Sequence, residues 1–231
     1  MATTAKVVLG RDDGREFNGY VARPDAPRAP GIMVLHDMFG LHDVIRGVAD
    51  RFAGLGYTAL VPNLFWRSDN SKAIPYDQHP PAWERLNAID LDVASADMVT
   101  AVSWLRGQPS STGKVAAVGF CGGGRWAYLA AARCGVDAAA SLYGLGISRH
   151  LGETAKVTCP LQLHYGSKDQ HVPQSEVDLV AAGVSGRGNI EIFLYAGAGH
   201  SFANPIRPTH DPAAAELAFQ RIDAMLARMR G

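Results

Sequence analysis

Six short, nearly continuous apolar runs constrain the fold of this chain more than any other feature. They are Ile32-Met33-Val34-Leu35, Thr58 to Val61, Val115 to Phe120, Ala138 to Tyr143, Leu161 to Tyr165 and Ile190 to Tyr195. Runs without in/out alternation suit parallel strands covered on both faces. Helical patterns lie between them. Val44, Val48, Phe52 and Leu55 share one face of a predicted helix that Gly56 stops. Ile89, Val93, Val102 and Leu105 seed a second helix before the Gly113 turn. A last helix starts near Asp211, with Pro212 in its first turn and Leu217, Ile222, Met225 and Leu226 as its apolar set. This alternation predicts an α/β fold, a mostly parallel sheet with helices on both faces. Ahead of it, Lys6 to Leu9 and Phe17 to Ala22 flank Asp12-Asp13-Gly14 and read as an N-terminal antiparallel hairpin.

The 231 residues are expected to form one domain, 1–231. Residues 62–88 break the rhythm: the four prolines and Trp66 between Pro62 and Pro81 mark an excursion over the C-terminal edge of the sheet, where ligands bind in such folds. The charge balance, 22 Lys+Arg against 22 Asp+Glu, provides no electrostatic footprint for nucleic acid or an anionic membrane. Trp126 to Gly146, the most apolar stretch, is broken by Arg133 and Asp137 and falls short of the roughly 20 apolar residues of a membrane span. Met1 to Arg15 has no apolar targeting core, so a cytoplasmic protein is expected. The three cysteines, Cys121, Cys134 and Cys159, are odd in number, widely spaced and without a CxxC, which argues against disulfides and structural zinc. No cofactor is expected, and the partner is a small molecule met by a monomer or weak homo-oligomer.

Chemistry concentrates in Val115 to Gly124, which reads as strand, G-x-C-x-G, then a helix starting near Arg125. A nucleophile on a tight strand-to-helix turn needs small neighbours, here Gly119 and Gly123. The helix N-terminus would stabilise a thiolate or oxyanion, and the Gly122 N–H is a natural oxyanion donor. Two blander readings compete: Cys121 as a buried small hydrophobe, and the glycines as a phosphate loop. The second lacks the G-x-G-x-x-G register.

An acyl-transfer nucleophile needs a base and an acid that orients it. Asp169 follows the Leu161–Tyr165 run and His200 follows the Ile190–Tyr195 run, each just past a strand's C-terminal end. Alone, Asp169 could cap the helix starting near Pro173, and His200 could be a core histidine. Together with Cys121 they follow three strands in the chain order of α/β-hydrolases. His164 lies inside a strand, His150 and His210 sit among polar residues, and His171 is placed to line the mouth. Phe39, Phe65, Trp66, Trp83, Tyr143 and Phe202 are candidates to wall an apolar pocket. His36-Asp37-x4-His42-Asp43 invites a metal reading but lacks a third ligand group nearby, so no metal is expected.

These residues resemble the dienelactone hydrolase family of α/β-hydrolases, in which cysteine replaces the usual serine. The resemblance runs through nearly the whole chain, on His36-Asp-Met-Phe-Gly40, Gly119-Phe-Cys-Gly-Gly123, Gly166-x-x-Asp169-x-x-Val-Pro173 and Gly199-His-Ser-Phe202. It implies a triad of Cys121, His200 and Asp169, with oxyanion donors on the backbone of Gly122 and Met38. It also implies a thiol-modulating acid at Asp37, where the best-known members carry the longer Glu. The positions matching two carboxylate-gripping arginines of those members are His79 and Asn204, with Arg85 or Arg207 as substitutes close by. The expectation is a hydrolase of small esters or lactones, of dienelactone or enol-lactone type, working through a thioester. The rivals are a general carboxylesterase, a thiol-based redox or electrophile sensor, and a non-catalytic binding module.

Overall fold

The computed structural model describes residues 2–69 and 71–230. The chain forms two compact units, Met1–Ala116 and Ala117–Gly231.

The first unit opens with β1 (Thr3–Asp12) and β2 (Arg15–Arg23), the expected hairpin. Asp13 and Gly14, at φ 46° and 73°, make the two-residue turn whose left-handed geometry matches strand twist. β3 (Ala29–Leu35) is buried throughout and pairs in parallel with β4 (Thr58–Pro62), which in turn pairs antiparallel with β2. α1 (Asp43–Gly54) ends at Gly56, in the left-handed region at φ 90°, as anticipated. Its core face is Ile45, Ala49, Phe52 and Ala53, while Val44, Val48 and Leu55 are half-buried. Phe52 of the expected face is thus in the core, and the adjacent i,i+4 row of Ile45 and Ala49 completes it. α2 (His79–Asn87) and α3 (Leu91–Arg106) complete the unit. Asp90 caps α3 by accepting from the N–H groups of Asp92 and Val93, leaving Ile89 outside the helix, and Val93 is exposed. Val93 is in the expected helix but off its buried face, and only Ile89 falls outside it.

β5 (Ser111–Phe120) runs through the boundary into the second unit. There follow α4 (Gly122–Arg133), β6 (Ala138–Leu142), a 3₁₀ segment (Ile147–Lys156), β7 (Leu161–Gly166), α5 (Gln174–Gly183), β8 (Ile190–Tyr195) and α6 (Pro212–Ala227). β6–β7 and β7–β8 are parallel pairs. Asp211 caps α6 with Pro212 in its first turn, and Ile222, Met225 and Leu226 are buried. Leu217, counted with them in the sequence, is exposed. The strands form a mostly parallel eight-stranded sheet in the order β1-β2-β4-β3-β5-β6-β7-β8. No helix among the described residues is long and apolar enough to cross a membrane.

Candidate active site

The second unit holds the nucleophile turn. α4 begins at Gly122, three residues before the expected start near Arg125. Glycines are poor helix formers, but here close packing selects them. A Cβ on Gly119 would overlap the Gly123 carbonyl; one on Gly124 would sit 2.7 Å from the Gly144 Cα and 2.8 Å from the Ser141 Oγ. Gly124 therefore matters for packing, a role the G-x-C-x-G pattern does not single out. Cys121 caps the helix in a left-handed conformation, φ 58° and ψ −118°. Its N–H donates to the Leu142 carbonyl at 3.0 Å, and its own carbonyl accepts from Gly124 at 2.9 Å. The strained residue is thus pinned to β6 and to α4. The Gly122 N–H lies in the first turn, where helical N–H groups lack intrahelical partners.

Asp169 and His200 come together with this turn. The loops bearing them are joined by backbone bonds from Ser167 to the Tyr195 carbonyl and from Lys168 to the Ala198 carbonyl, each 2.9 Å. A Cβ on Gly166 would overlap the Ala198 carbonyl, which accounts for the glycine three residues before Asp169. Oδ1 of Asp169 accepts from the N–H groups of His171 and Val172 at 2.8 and 2.9 Å. Oδ2 lies 2.8 Å from Nδ1 of His200. Cys121 also acts electrostatically on the His200 imidazole. Since Nδ1 faces Asp169, the nitrogen left for the sulfur is Nε2. Burial works against a charged imidazole here, but the negative sulfur of Cys121 and the Asp169 carboxylate outweigh it and push the His200 pKa up to about 10.

Aromatic rings hold the imidazole in place. Tyr143, itself at φ 41°, meets His200 edge-on at 5.1 Å and Phe202 at 5.3 Å. The His171 ring lies 4.8 Å from His200. Asn204 is buried, and its Oδ1 accepts from the Ile206 N–H at 3.2 Å, so it braces its own loop. Arg207 is half-buried on the same loop. His164 is fully buried, with Nδ1 2.8 Å from the Tyr195 hydroxyl, and burial drives its pKa down to about 3. Cys134 and Cys159 are buried thiols whose pKa burial raises to about 11, which makes them poor nucleophiles.

The first unit gathers the remaining candidates. Asp37 is buried, and its Oδ1 accepts from the Phe39 N–H at 2.9 Å. Met38 is buried, and its carbonyl accepts from Nη2 of Arg85 at 2.9 Å. Phe39 packs on Tyr76 at 4.7 Å and edge-on to His79 at 5.3 Å. Trp83 is half-buried on α2. Phe65 lies under the Arg85 guanidinium at 3.9 Å, and Trp66 stacks on Phe17 and donates to Asp97 at 2.8 Å. Burial lowers the Arg85 pKa to about 10 against the favourable charge of Asp37. The His36 ring spends both nitrogens, Nδ1 on the Asp37 carbonyl and Nε2 on the Leu64 N–H. Nε2 of His42 meets the Ile74 carbonyl at 2.6 Å, and Asp43 pairs with Arg46 in the first turn of α1. The residues of the metal reading are thus otherwise engaged, and no group of three metal-ligating side chains occurs among the described residues.

Comparison with known proteins agrees with this architecture. The model of the dienelactone hydrolase family matches residues 17–229. A carboxymethylenebutenolidase of Pseudomonas putida is 33% identical over 212 residues, covering 90% of each chain. Carboxymethylenebutenolidase 1 of Cupriavidus pinatubonensis is 30% identical over 229 residues, covering 96% of each. Among solved structures, a dienelactone hydrolase-like promiscuous phosphotriesterase from metagenomic libraries superposes with a TM-score of 0.84 at 21% identity, covering 98% of each chain. A dienelactone hydrolase from Anabaena variabilis does so with a TM-score of 0.73 at 16% identity, again covering 98% of each. At such identities the structural likeness speaks for the fold, that of the α/β-hydrolases.

Proposed function

The chain belongs to the dienelactone hydrolase family and is a hydrolase of ester or lactone bonds, and from that premise we propose that it opens small enol-lactones through a Cys121–His200–Asp169 triad. The observation that carries this reading is the His200 imidazole, held 2.8 Å from Asp169 and close enough to Cys121 for that sulfur's charge to act on the ring. Cys121 and Asp169 both favour a proton on His200. His200 takes the Cys121 proton as the sulfur adds to the substrate carbonyl. Negative charge moves onto the carbonyl oxygen, where the Gly122 N–H is a donor; a comparable donor contributes about 3–4 kcal/mol. As the carbon–oxygen bond breaks, His200 gives its Nε2 proton to the leaving oxygen and a thioester remains. Neutral His200 then takes a proton from water as the water attacks that thioester. His200 returns that proton to the departing Cys121 sulfur as the acid is released.

Cys121→Ala abolishes turnover of an activated ester under this reading, and mass spectrometry of acid-quenched wild type finds the acyl group on the peptide that contains Cys121. Turnover that survives the substitution at the wild-type rate refutes it.

A further inference from the structure

The first unit holds a pocket of about 310 Å³ where α2 gives way to α3. None of Asp37, Met38, Phe39, His79 or Trp83 lines it. Leu64, Phe65, Ile89, Val93 and Ala94 supply its apolar walls. The volume lies at the lower end of the range for small-molecule sites, enough for one or two rings. Most charged groups of the wall are already engaged. Arg85 gives Nη1 and Nη2 to the Lys72 and Met38 carbonyls. Oδ1 of Asp90 accepts from the Asp92 and Val93 N–H groups. Arg67 pairs with Asp97 and lies over the Trp66 ring at 3.9 Å. Asp97 itself is the exception. Its side chain is only 8% exposed, and both of its donors, Nε1 of Trp66 at 2.8 Å and Nη1 of Arg67, use Oδ2. Oδ1 meets no donor among the described residues.

A buried acceptor that no protein group satisfies takes its hydrogen bond from water or from a ligand. Here apolar walls surround it, and they favour a ligand that brings apolar surface together with the donor. The same residues fix the ligand's charge. Arg67 already balances Asp97, and Arg85 is a second cation in the wall, so an ammonium group would meet two guanidinium ions. A carboxylate would face the Asp97 oxygen itself. We propose that this pocket is a second, non-catalytic binding site, which takes small neutral molecules with an apolar ring body and one N–H or O–H donor. The donor goes to Oδ1 of Asp97, and the ring lies among Phe65, Ile89 and Ala94. No residue of the Cys121, Asp169 and His200 set enters this argument, so the site stands or falls apart from the hydrolytic reading.

Indole and 1-methylindole separate the donor from the apolar area. Both are neutral, and the methyl group adds apolar surface while removing the N–H. Burial alone favours 1-methylindole, by about 4-fold for one methyl group, whereas a hydrogen bond to a carboxylate favours indole by more. Calorimetric titration of the full chain is expected to show indole binding about 5–10-fold tighter than 1-methylindole. Asp97→Asn leaves a carbonyl oxygen for Trp66 and Arg67 and turns its NH₂ to the pocket, so indole loses its lead. Ala94→Leu fills the pocket and weakens both ligands by about 10-fold or more. Circular dichroism checks the fold of each variant. Should Asp97→Asn fail to fold, the two ligands on wild type and on Ala94→Leu decide. No binding of either ligand overturns the site, and 1-methylindole binding as tightly as indole to wild type overturns the part given to Asp97. Indole binding untouched by Ala94→Leu overturns the pocket as its place. Cys121→Ala binds indole as wild type does; a loss there would put the ligand at the nucleophile and overturn the proposal.

Discussion

Nη2 of Arg85 donates to the Met38 carbonyl at 2.9 Å while Nη1 donates to the Lys72 carbonyl at 2.6 Å. One buried guanidinium thereby ties the Asp37–Gly40 turn to the segment after residue 70, over the face of Phe65. Gly40, at φ 92°, would bring any Cβ to 3.2 Å from the same Nη2, so the turn is moulded around this cation. Arg85→Met strands the buried Met38 carbonyl and the part-buried Lys72 carbonyl. Hydrogen bonds to a charged donor contribute about 1.5–3 kcal/mol each, so a loss of about 2–4 kcal/mol in unfolding free energy is expected. Because the guanidinium is spent on backbone, turnover of 3-acetoxybenzoate and of its methyl ester should fall together. Urea titration and the two rate measurements check this, and a selective loss on the acid would assign Arg85 to substrate instead.

Asp169 does two tasks with two oxygens: Oδ1 receives the His171 and Val172 N–H groups, and Oδ2 receives His200. Asparagine keeps the first contact through its carbonyl oxygen but turns an NH₂ toward Nδ1, which favours the wrong imidazole tautomer. Asp169→Asn is therefore expected to reduce kcat by about 10³–10⁴-fold, as in other acid–histidine pairs, while Tm stays within a few degrees. Asp169→Ala also loses the turn and should show both defects. Equal Tm losses in the two variants would mean that the backbone contacts do not hold the loop.

Much of this architecture could be read from residue order. The hairpin was legible because Asp13-Gly14 supplies two left-handed residues between strands, and each apolar run became a strand. What escaped the reading has physical causes. Rows Val44/Val48 and Ile45/Ala49 have the same helical spacing, and only the packed core chooses the second. Gly122 to Gly124 look like loop because their helical propensity is poor, yet they open α4, and the closeness of Gly144 and Ser141 leaves room for no side chain at Gly124. Cys121, Asp169 and His200 stood out because strand ends announce them.

Two buried histidines make acid stability predictable in sign. Burial depresses His36 to about 4 and His164 to about 3, both below the ordinary value near 6.5. The unfolded chain therefore binds a proton at each as pH falls below about 6.5, while the folded chain does not. Their stabilising contribution is complete above that pH and is lost as pH falls through the folded values. At pH 5 each costs about 2 kcal/mol relative to pH 7. His164→Phe keeps the stacking on Phe193 but removes the titration. The urea midpoint of that variant should fall less between pH 7 and pH 5 than wild type, by the share of one histidine. An identical acid limb would show that His164 titrates normally in the fold.

The backbone at Cys121 predicts a conflict between stability and activity. At φ 58° and ψ −118° a Cβ is strained, at a cost on the order of 1–2 kcal/mol, and glycine alone adopts this region freely. Cys121→Ala and Cys121→Gly both remove the sulfur and its pairing with His200, so the difference between them isolates the Cβ. Cys121→Gly should unfold at higher urea than Cys121→Ala by about 1 kcal/mol, against the usual penalty for glycine, and both should be inactive. The turn would then be holding a residue that its own geometry disfavours, because only a side chain placed there stands clear of β5 and beside the imidazole. An alanine variant as stable as the glycine variant would show that the turn carries no such strain, and the position would then be explained by packing alone.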